Sequence, residues 1–268
     1  MASDVLIRHH IQQRGQGTRP MLFAHGFGCD QNMWRFVAPA FEADHRVICF
    51  DHIGCGASEL SAYDEQRHAT LAGYAADVVD IVEALDLRDV VFVGHSVSAQ
   101  IGLLASIRVP ERFSRLVLLG PSARYLNDPP DYVGGFERAD IDGLLDMMER
   151  NLLGFANFLA PLVMSPENPE ELTDELRRSL CASDPYITRR FALATFLSDN
   201  RADLPQVGVP SLLIQCSQDS IAPPGVAEYM QRHLARSTLV TLQAAGHCPH
   251  MTHPGETVAA IRQYLQAA

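Results

Sequence analysis

The chain has 268 residues, and its 32 acidic residues outnumber its 21 basic residues, giving a formal net charge of −11 at pH 7. All the basic residues are arginine, since the sequence contains no lysine. This excludes mechanisms that need a lysine amine, such as Schiff-base chemistry and the P-loop. The acidic balance argues against binding to nucleic acid or to an anionic membrane surface, because both need clustered positive charge.

At about 100–200 residues per domain, this length predicts one large domain, or a core domain that carries an insertion. No apolar run approaches the ~20 residues needed to span a bilayer, and residues 1–12 lack the apolar stretch of a signal peptide. The six cysteines form no Cys-x-x-Cys pair, so we expect reduced thiols and no disulfide framework. These features predict a cytoplasmic protein.

Short apolar runs alternate along the chain with longer amphipathic segments. Between the runs, apolar residues recur at three- and four-residue steps, as in Leu71, Tyr74 and Val78, which indicates helices. Strands that alternate with helices and are buried on both faces predict an α/β fold with a mostly parallel sheet. The runs of strand length occupy residues 21–24, 47–50, 90–93, 116–119, 212–214 and 239–242.

The alternation stops after residue 121 and resumes at residue 209, and the segment between contains four helical patterns after an entry marked by proline and glycine pairs. We therefore predict a core formed by residues 1–121 and 209–268, into which residues 122–208 are inserted as a four-helix lid. The lid helices are predicted over residues 141–151, 152–164, 169–182 and 185–197.

The predicted lid is rich in large apolar residues. Packing between helices accounts for many of them, and the wall of an apolar pocket under the lid would account for others. Both roles are compatible, because a lid must pack on the core and also enclose a cavity. The residues assigned to the pocket are Phe136, Phe155, Phe158, Leu159, Met164, Phe191 and Phe196.

Residues 91–99 (Val-Phe-Val-Gly-His-Ser-Val-Ser-Ala) join an apolar strand to a helical pattern. This is the setting of a nucleophile elbow, G-x-S-x-G, in which a tight, strained turn lifts a serine hydroxyl above the edge of the sheet. Ser98 stands where the pattern has its last glycine, and serine is small enough for the turn to survive. Ser96 is therefore the predicted nucleophile.

A serine hydroxyl is a poor nucleophile without a base. In this architecture the acid and then the histidine follow the serine along the chain. Asp219 follows a strand that begins near residue 211, and His247 follows the next strand. His247 is predicted to take the Ser96 proton, while Asp219 fixes the tautomer of His247 and stabilises its imidazolium.

Other acids remain open as alternatives. A turn or a helix cap would also explain an acid at position 219, because acids often end strands. Asp184 and Asp199 are weaker candidates for the catalytic acid, since both lie in the predicted lid.

His247 competes with His250 and His253 for the role of base. The three histidines also suggest a metal site, which we do not predict. Their three-residue steps cross a proline, so they do not share one regular helix face, and no carboxylate with ligand spacing accompanies them.

Residues 25–28 (His-Gly-Phe-Gly) follow the first apolar run, where glycines let backbone N–H groups turn toward a substrate oxygen. The amides of Phe27 and Val97 are predicted to form an oxyanion hole, with His25 holding the loop. A dinucleotide-binding loop is excluded, because Gln31 stands where the third glycine of that motif belongs. No cofactor is expected.

Together these motifs resemble those of the α/β-hydrolase family, and in particular its RsbQ-like subgroup. That subgroup includes a bacterial stress-response regulator and the plant strigolactone and karrikin receptors. The resemblance covers nearly the whole chain, including the predicted lid. It rests on residues 25–28, 51–58, 94–99, 104–108 and 246–250, and on Asp219.

The resemblance implies an α/β-hydrolase fold with a four-helix lid, a triad of Ser96, Asp219 and His247, and a mostly apolar pocket under the lid. It also implies that hydrolysis can be slow and can serve signalling. Because the subgroup contains both enzymes and receptors, membership alone does not decide between them.

The leading interpretation is a serine hydrolase that cleaves a small, fairly apolar ester or lactone through an acyl-enzyme intermediate. The alternative is a small-molecule sensor whose lid signals to a protein partner. Carbon–carbon bond hydrolysis and cofactor-free perhydrolysis also remain open, whereas enzymes with an aspartate nucleophile are disfavoured by Ser96. The predicted site has no cationic side chain, which favours a neutral substrate over a phosphorylated one.

Overall fold

The computed structural model describes residues 2–267. Seven strands form one sheet, which lies at the centre of the molecule. The strands are β1 (Gln12–Arg14), β2 (Arg19–Ala24), β3 (His45–Phe50), β4 (Val90–His95), β5 (Phe113–Leu119), β6 (Ser211–Gln218) and β7 (Ser237–Ala245).

The strands are arranged in the order β1-β3-β2-β4-β5-β6-β7. Strands β2 to β7 pair in parallel, and β1 pairs antiparallel with β3 at the edge of the sheet. All the runs predicted as strands lie within β2 to β7, so the mostly parallel sheet is confirmed. Strand β1 is missing from the prediction, because its Gln-Gln-Arg sequence is polar and pairs on one side only.

Helices flank the sheet, and short 3-10 turns connect several elements. Four of the helices follow one another between β5 and β6. The helices described in residues 2–267 are α1 (Ala2–Arg8), α2 (Leu71–Ala84), α3 (Val97–Arg108), α4 (Arg138–Arg150), α5 (Leu152–Met164), α6 (Glu170–Ala182), α7 (Pro185–Phe196), α8 (Pro224–His233), α9 (Pro249–Thr252) and α10 (Pro254–Gln266).

Both faces of the sheet are buried, because successive residues of a strand point to opposite sides. In β2, Phe23 packs into one apolar cluster and Leu22 into another, and Val117 and Leu118 repeat this division in β5. The first cluster contains Trp34 and apolar side chains of α4, α5 and α6. The second contains the buried faces of α2 and α3. Helices α4 to α6 therefore pack into the first cluster, whereas side chains of α7 belong to both clusters.

Helices α4 to α7, residues 138–196, are called the helical insertion below. Their observed bounds agree with the predicted ones to within three residues. Helix α4 begins at Arg138 and not at residue 141, because Glu137 and Asp140 form a reciprocal capping box. A glutamate cap is not among the usual N-cap residues that mark a helix start in a sequence. The outer limits of the lid, at residues 121 and 209, stay a prediction.

None of the helices within residues 2–267 combines the length and apolar character that crossing a bilayer requires. The six cysteines are free thiols, as the sequence predicts. Cys181 is exposed, Cys49 is half-buried and the remaining four are buried.

Candidate active site

Ser96 occupies the sharp turn between β4 and α3. Its backbone has φ of 55° and ψ of −121°, a strained conformation for a residue with a side chain. The Ser96 amide donates to the Leu119 carbonyl at 2.8 Å, which ties the turn to β5. A Cβ atom at Gly94 would lie 2.6 Å from the Ser98 carbonyl oxygen, so the turn requires glycine there. The strand, strained serine and helix have the arrangement of a nucleophile elbow.

Three buried side chains form a hydrogen-bonded line at this turn. The Ser96 hydroxyl lies 2.8 Å from Nε2 of His247, and Nδ1 of His247 lies 2.7 Å from Oδ2 of Asp219. Because a carboxylate only accepts, Nδ1 carries the proton and Nε2 is left to accept from Ser96. The three residues come from the ends of β4, β6 and β7, which meet at one edge of the parallel sheet.

The carboxylate of Asp219 is held from several directions. Its Oδ1 accepts from the amides of Ile221 and Ala222 at 2.9 and 3.0 Å, and its Oδ2 accepts from Gln215 at 3.3 Å. Gln215 also donates to the Ala222 carbonyl at 2.8 Å. These contacts orient the acid toward His247.

The competing acids and histidines have other partners. Asp184 caps α7 by accepting from the Ile187 amide at 2.9 Å, and Asp199 pairs with arginines at the surface. His253 bonds to the neighbouring Thr252 hydroxyl. His250 is fully buried, and burial with the adjacent His247 lowers its pKa to about 3. None of these groups reaches Ser96.

The predicted oxyanion loop is tightly packed against its surroundings. A Cβ atom at Gly26 would lie 2.4 Å from the His95 ring, and one at Gly28 would lie 2.2 Å from Leu180. Gly28 also has φ of +70°, which favours glycine. The side chain of Phe27 lines the cavity at Ser96, and Val97 opens helix α3 beside it. The role of the two amides stays a prediction.

A narrow cavity of about 30 Å³ opens onto Ser96 and His247. Ligand-binding pockets usually measure about 300–1,000 Å³, so the cavity is small in this state. Apart from the groups that contact Ser96, the lining is mostly apolar or thiol: Phe27, Cys29, Leu159, Val163, Leu176, Leu180, Phe196, Ile221 and Cys248, with Thr195 and His95.

Two of the seven side chains predicted for the pocket, Leu159 and Phe196, line the cavity. The prediction for Phe158 is wrong, because this side chain is 53% exposed. Helix α5 buries the face that carries Phe155 and Leu159, and Phe158 projects from the opposite side. The other four are buried in the packing around the cavity without lining it: Phe136, Phe155, Met164 and Phe191.

Tyr125 lies in the site, and the sequence analysis missed it. Its hydroxyl lies 3.3 Å from the Ser96 hydroxyl, and its side chain is fully buried in the cavity wall. Burial raises the pKa of the phenol, so it stays protonated. The tyrosine follows β5 in an irregular segment that carries no motif. Its position after a strand at the carboxyl edge of the sheet is the signal that could have found it.

His95, Cys248 and His250 place potential metal ligand atoms within 4.8 Å of one another, all of them buried. They are not the three histidines considered from the sequence, because His95 comes from β4. The His95 Nε2 atom already bonds to the His247 carbonyl at 2.9 Å, and burial raises the pKa of the Cys248 thiol. The groups fit a packed neutral cluster beneath the base, and the absence of a metal stays a prediction.

A larger cleft of about 640 Å³ lies elsewhere, at the amino ends of the strands. Four arginines and two aspartates are among its lining residues. None of the groups that contact Ser96 reaches this cleft, so its size does not connect it with the chemistry of the serine.

Comparisons with known proteins agree with this geometry. The sequence profile described as "Alpha/beta hydrolase family" matches residues 21–261. The chain belongs to the α/β-hydrolase family. The structure of a hydrolase from Oleispira antarctica is 44% identical to this chain, with a TM-score of 0.98, and the match covers 100% of this chain and 98% of that one.

Curated relatives extend the comparison. "Strigolactone esterase D14" from Arabidopsis thaliana is 38% identical over 98% of both chains. "Karrikin insensitive 2 receptor CA" from Petunia hybrida is 36% identical over 96% of this chain and 95% of that one. The resemblance to strigolactone and karrikin receptors that the motifs indicate is therefore confirmed over the full length of the chain.

Proposed function

We propose that this protein is a serine hydrolase that cleaves a small, fairly apolar ester or lactone through an acyl-enzyme intermediate. The observation that carries the proposal is the continuous line from Ser96 through His247 to Asp219, with separations of 2.8 and 2.7 Å. Relatives named as esterases support the class of reaction.

In the proposed reaction, Nε2 of His247 takes the Ser96 proton as the hydroxyl oxygen attacks the substrate carbonyl carbon. The carbonyl oxygen becomes an oxyanion, which the amides of Phe27 and Val97 stabilise. His247 then gives its proton to the leaving alkoxide, and the acyl group stays on Ser96. Water, deprotonated by His247, attacks the acyl carbon, and return of that proton to Ser96 releases the acid.

The lining of the cavity supports a neutral, apolar substrate. Apart from the groups that contact Ser96, the side chains around it are almost all hydrocarbon or thiol, and none is an arginine. The formal net charge of −11 repels anions at long range. A phosphorylated or polyanionic substrate would find no partner for its charge.

Substrate entry requires the cavity to widen, and the helical insertion is the side that we propose moves. Leu159, Val163 and Leu176 of α5 and α6 form part of the cavity wall. A hydrogen bond also joins the insertion to the loop that carries the proposed base, because the His247 amide donates to the Val163 carbonyl at 2.7 Å. A substrate small enough to enter with a limited movement of α5 and α6 fits this arrangement.

Hydrolysis of p-nitrophenyl acetate and labelling by a fluorophosphonate probe test the proposal. Wild-type protein should release nitrophenolate and carry one phosphonyl group on Ser96. Ser96→Ala should lose both, whereas Ser217→Ala removes a serine hydroxyl that bonds to Ala244 outside the cavity and should lose neither. Normal turnover by Ser96→Ala would reject the proposed nucleophile.

A second candidate function is a small-molecule sensor with slow hydrolysis. Relatives named as receptors at 36% identity favour it, as does the hydrogen bond between the base segment and the insertion. A ligand or acyl group at Ser96 would then change the exposure of the insertion.

Amide hydrogen exchange of residues 138–196, compared between free protein and protein labelled at Ser96, tests the sensor candidate. Altered exchange across the insertion together with slow ester turnover supports it. Unchanged exchange together with fast turnover rejects it.

A further inference from the structure

Ser98 occupies the position at which the elbow motif has glycine, and it makes two buried hydrogen bonds there. Its hydroxyl donates to the His25 carbonyl at 2.5 Å and lies 2.7 Å from Nε2 of His52. Because a carbonyl only accepts, the single Ser98 proton is used on His25, so His52 must donate through Nε2. The other ring nitrogen of His52 is buried without a partner, which agrees with this tautomer.

His25 is fixed on its other atoms as well. Its Nε2 accepts from the His52 amide at 3.1 Å, which leaves Nδ1 protonated to donate to the Gly26 carbonyl at 2.9 Å. The His25, His52 and Ser98 side chains have no exposed surface. A hydrogen bond that joins such buried groups has one stable geometry, because water cannot replace it.

This bond joins the glycine loop to the first turn of α3. Ser98 is adjacent to Val97 in the first turn of α3, and His25 lies two residues before Phe27 in the glycine loop. Beyond the ladder of the sheet, no other hydrogen bond among the described residues connects segment 25–29 with segment 96–99. The two amides assigned to the oxyanion hole lie one on each segment.

We propose that Ser98 is a positioning residue that sets the separation between the Phe27 and Val97 amides. It acts through His25, and it does not touch the substrate. The inference rests on the proposed hydrolase function, because it assigns the oxyanion hole to that reaction. Donors contribute fully only when they lie at 2.7–3.1 Å from the developing oxyanion. Without the Ser98 hydroxyl, the glycine loop can shift relative to α3, and the donors lose this spacing.

Ser98→Ala and Ser98→Gly test the proposal, because both remove the hydroxyl. The glycine variant has the ordinary elbow motif, and the same loss is expected in both variants. We expect kcat for p-nitrophenyl acetate to fall about tenfold with KM unchanged, since the oxyanion forms only in the transition state. The affinity of a boronic acid that mimics the tetrahedral intermediate should fall by a similar factor.

Ser106→Ala is the matched control. Ser106 lies on the same helix, is buried, and donates within α3 to the Leu103 carbonyl at 2.8 Å. This variant removes a buried hydroxyl that has no link to the glycine loop, so kcat and boronate affinity should stay at the wild-type values. Wild-type kcat in Ser98→Ala, or equal losses of kcat in Ser98→Ala and Ser106→Ala, would overturn the proposal.

A measurement that does not depend on turnover separates this proposal from the hydrolase assignment. Amide hydrogen exchange of residues 25–29 should be at least tenfold faster in Ser98→Ala than in wild type and unchanged in Ser106→Ala. Absence of ester turnover in wild-type protein would reject the hydrolase function, and the positioning of an oxyanion hole with it. Wild-type turnover with unchanged exchange of residues 25–29 in Ser98→Ala would reject Ser98 alone.

Discussion

The sheet core and the helical insertion bury their apolar side chains in different ways. Strand β4 is buried along its whole length, because helices cover both faces of the sheet. Helices α4 and α6 each bury one side only and carry charged residues on the other. The core is therefore the region that holds the candidate reacting groups in one geometry. The insertion forms part of the cavity wall.

The distribution of histidine also differs between the sheet core and the helical insertion. All eleven histidines lie outside residues 138–196, and eight of them are buried. Acid should therefore weaken the core through groups that the insertion lacks. The predictions that follow test the difference between the two regions.

The largest difference is expected between two acids, one in each region. Asp219→Asn keeps the shape of the core acid but removes its charge and favours the wrong tautomer of His247, so kcat should fall about 10⁴-fold. Asp184→Ala removes the cap of α7 in the insertion and should cost about 1 kcal/mol of stability with kcat unchanged. Ester hydrolysis and urea unfolding measure both. Equal effects on kcat would show that the acid is misassigned.

Stability should fall in acid because of the buried histidines of the core. Burial holds the pKa values of His25, His52, His95 and His250 below their ordinary value, and that of His250 at about 3. In the unfolded chain these groups titrate near pH 6.5. Below that pH the unfolded state binds protons that the folded state does not, so the free energy of unfolding decreases as pH falls.

The expected slope is about 1.4 kcal/mol per pH unit for each histidine that charges only on unfolding. Urea unfolding between pH 8 and pH 5 measures it. His250→Leu should reduce the slope by about 1.4 kcal/mol per pH unit, because it removes one of these groups. A free energy of unfolding that stays constant down to pH 5 would contradict this assignment.

Two phenylalanines of one helix should differ sharply in their contribution to stability. Phe155 is fully buried and Phe158 is 53% exposed, although they lie three residues apart on α5. Phe155→Ala should cost about 3–5 kcal/mol, because it leaves a cavity. Phe158→Ala should stay within about 0.5 kcal/mol of wild type. Similar midpoints of urea unfolding for the two variants would contradict the orientation of α5.

Gly246 is a point where the two regions touch. Its φ is +92°, and a Cβ atom there would lie 2.5 Å from the Met164 carbonyl of α5. Gly246→Ala should therefore destabilise the protein by about 1–3 kcal/mol. It should also lower kcat, because His247 is the next residue. Gly225→Ala is the control, since a Cβ atom at Gly225 meets nothing within 4 Å. Equal stability of the two variants would contradict the close contact.

The smallest effect is expected at an ion pair on the surface. Arg35 of the core bonds to both carboxylate oxygens of Glu175 on α6 at 2.7 Å, and both side chains are partly exposed. A double-mutant cycle with Arg35→Ala and Glu175→Ala should give a coupling of at most about 1 kcal/mol. A coupling much above that value would mean that the surface pair holds the insertion more strongly than its exposure indicates.

The sequence predicts the core more completely than the insertion, and the reason is physical. Strands buried on both faces leave continuous apolar runs, and the Ser96 turn needs small residues at fixed positions, so both can be recognised locally. The order of Asp219 and His247 along the chain follows from parallel strands that end at one edge. Strand β1 leaves no such pattern, because it is short and polar.

The cavity lining could not be read from the sequence in the same way. Whether a large apolar residue of a helix faces the cavity, the core or solvent depends on the rotation of that helix, which packing decides. Phe158 and Leu159 are adjacent in sequence, yet one is exposed and the other lines the cavity. Tyr125 reaches Ser96 from an irregular segment, whose path no local pattern specifies.

The bond from the His247 amide to the Val163 carbonyl has a further consequence. A movement of α5 large enough to admit a ligand would stretch or break this bond. The bond helps to keep His247 aligned with Ser96. Ligand entry and proton transfer from Ser96 to His247 would then occur at different stages of each catalytic cycle. Water that enters while α5 is displaced would find His247 out of line with Ser96. An acyl group on Ser96 would therefore not be hydrolysed until α5 returns.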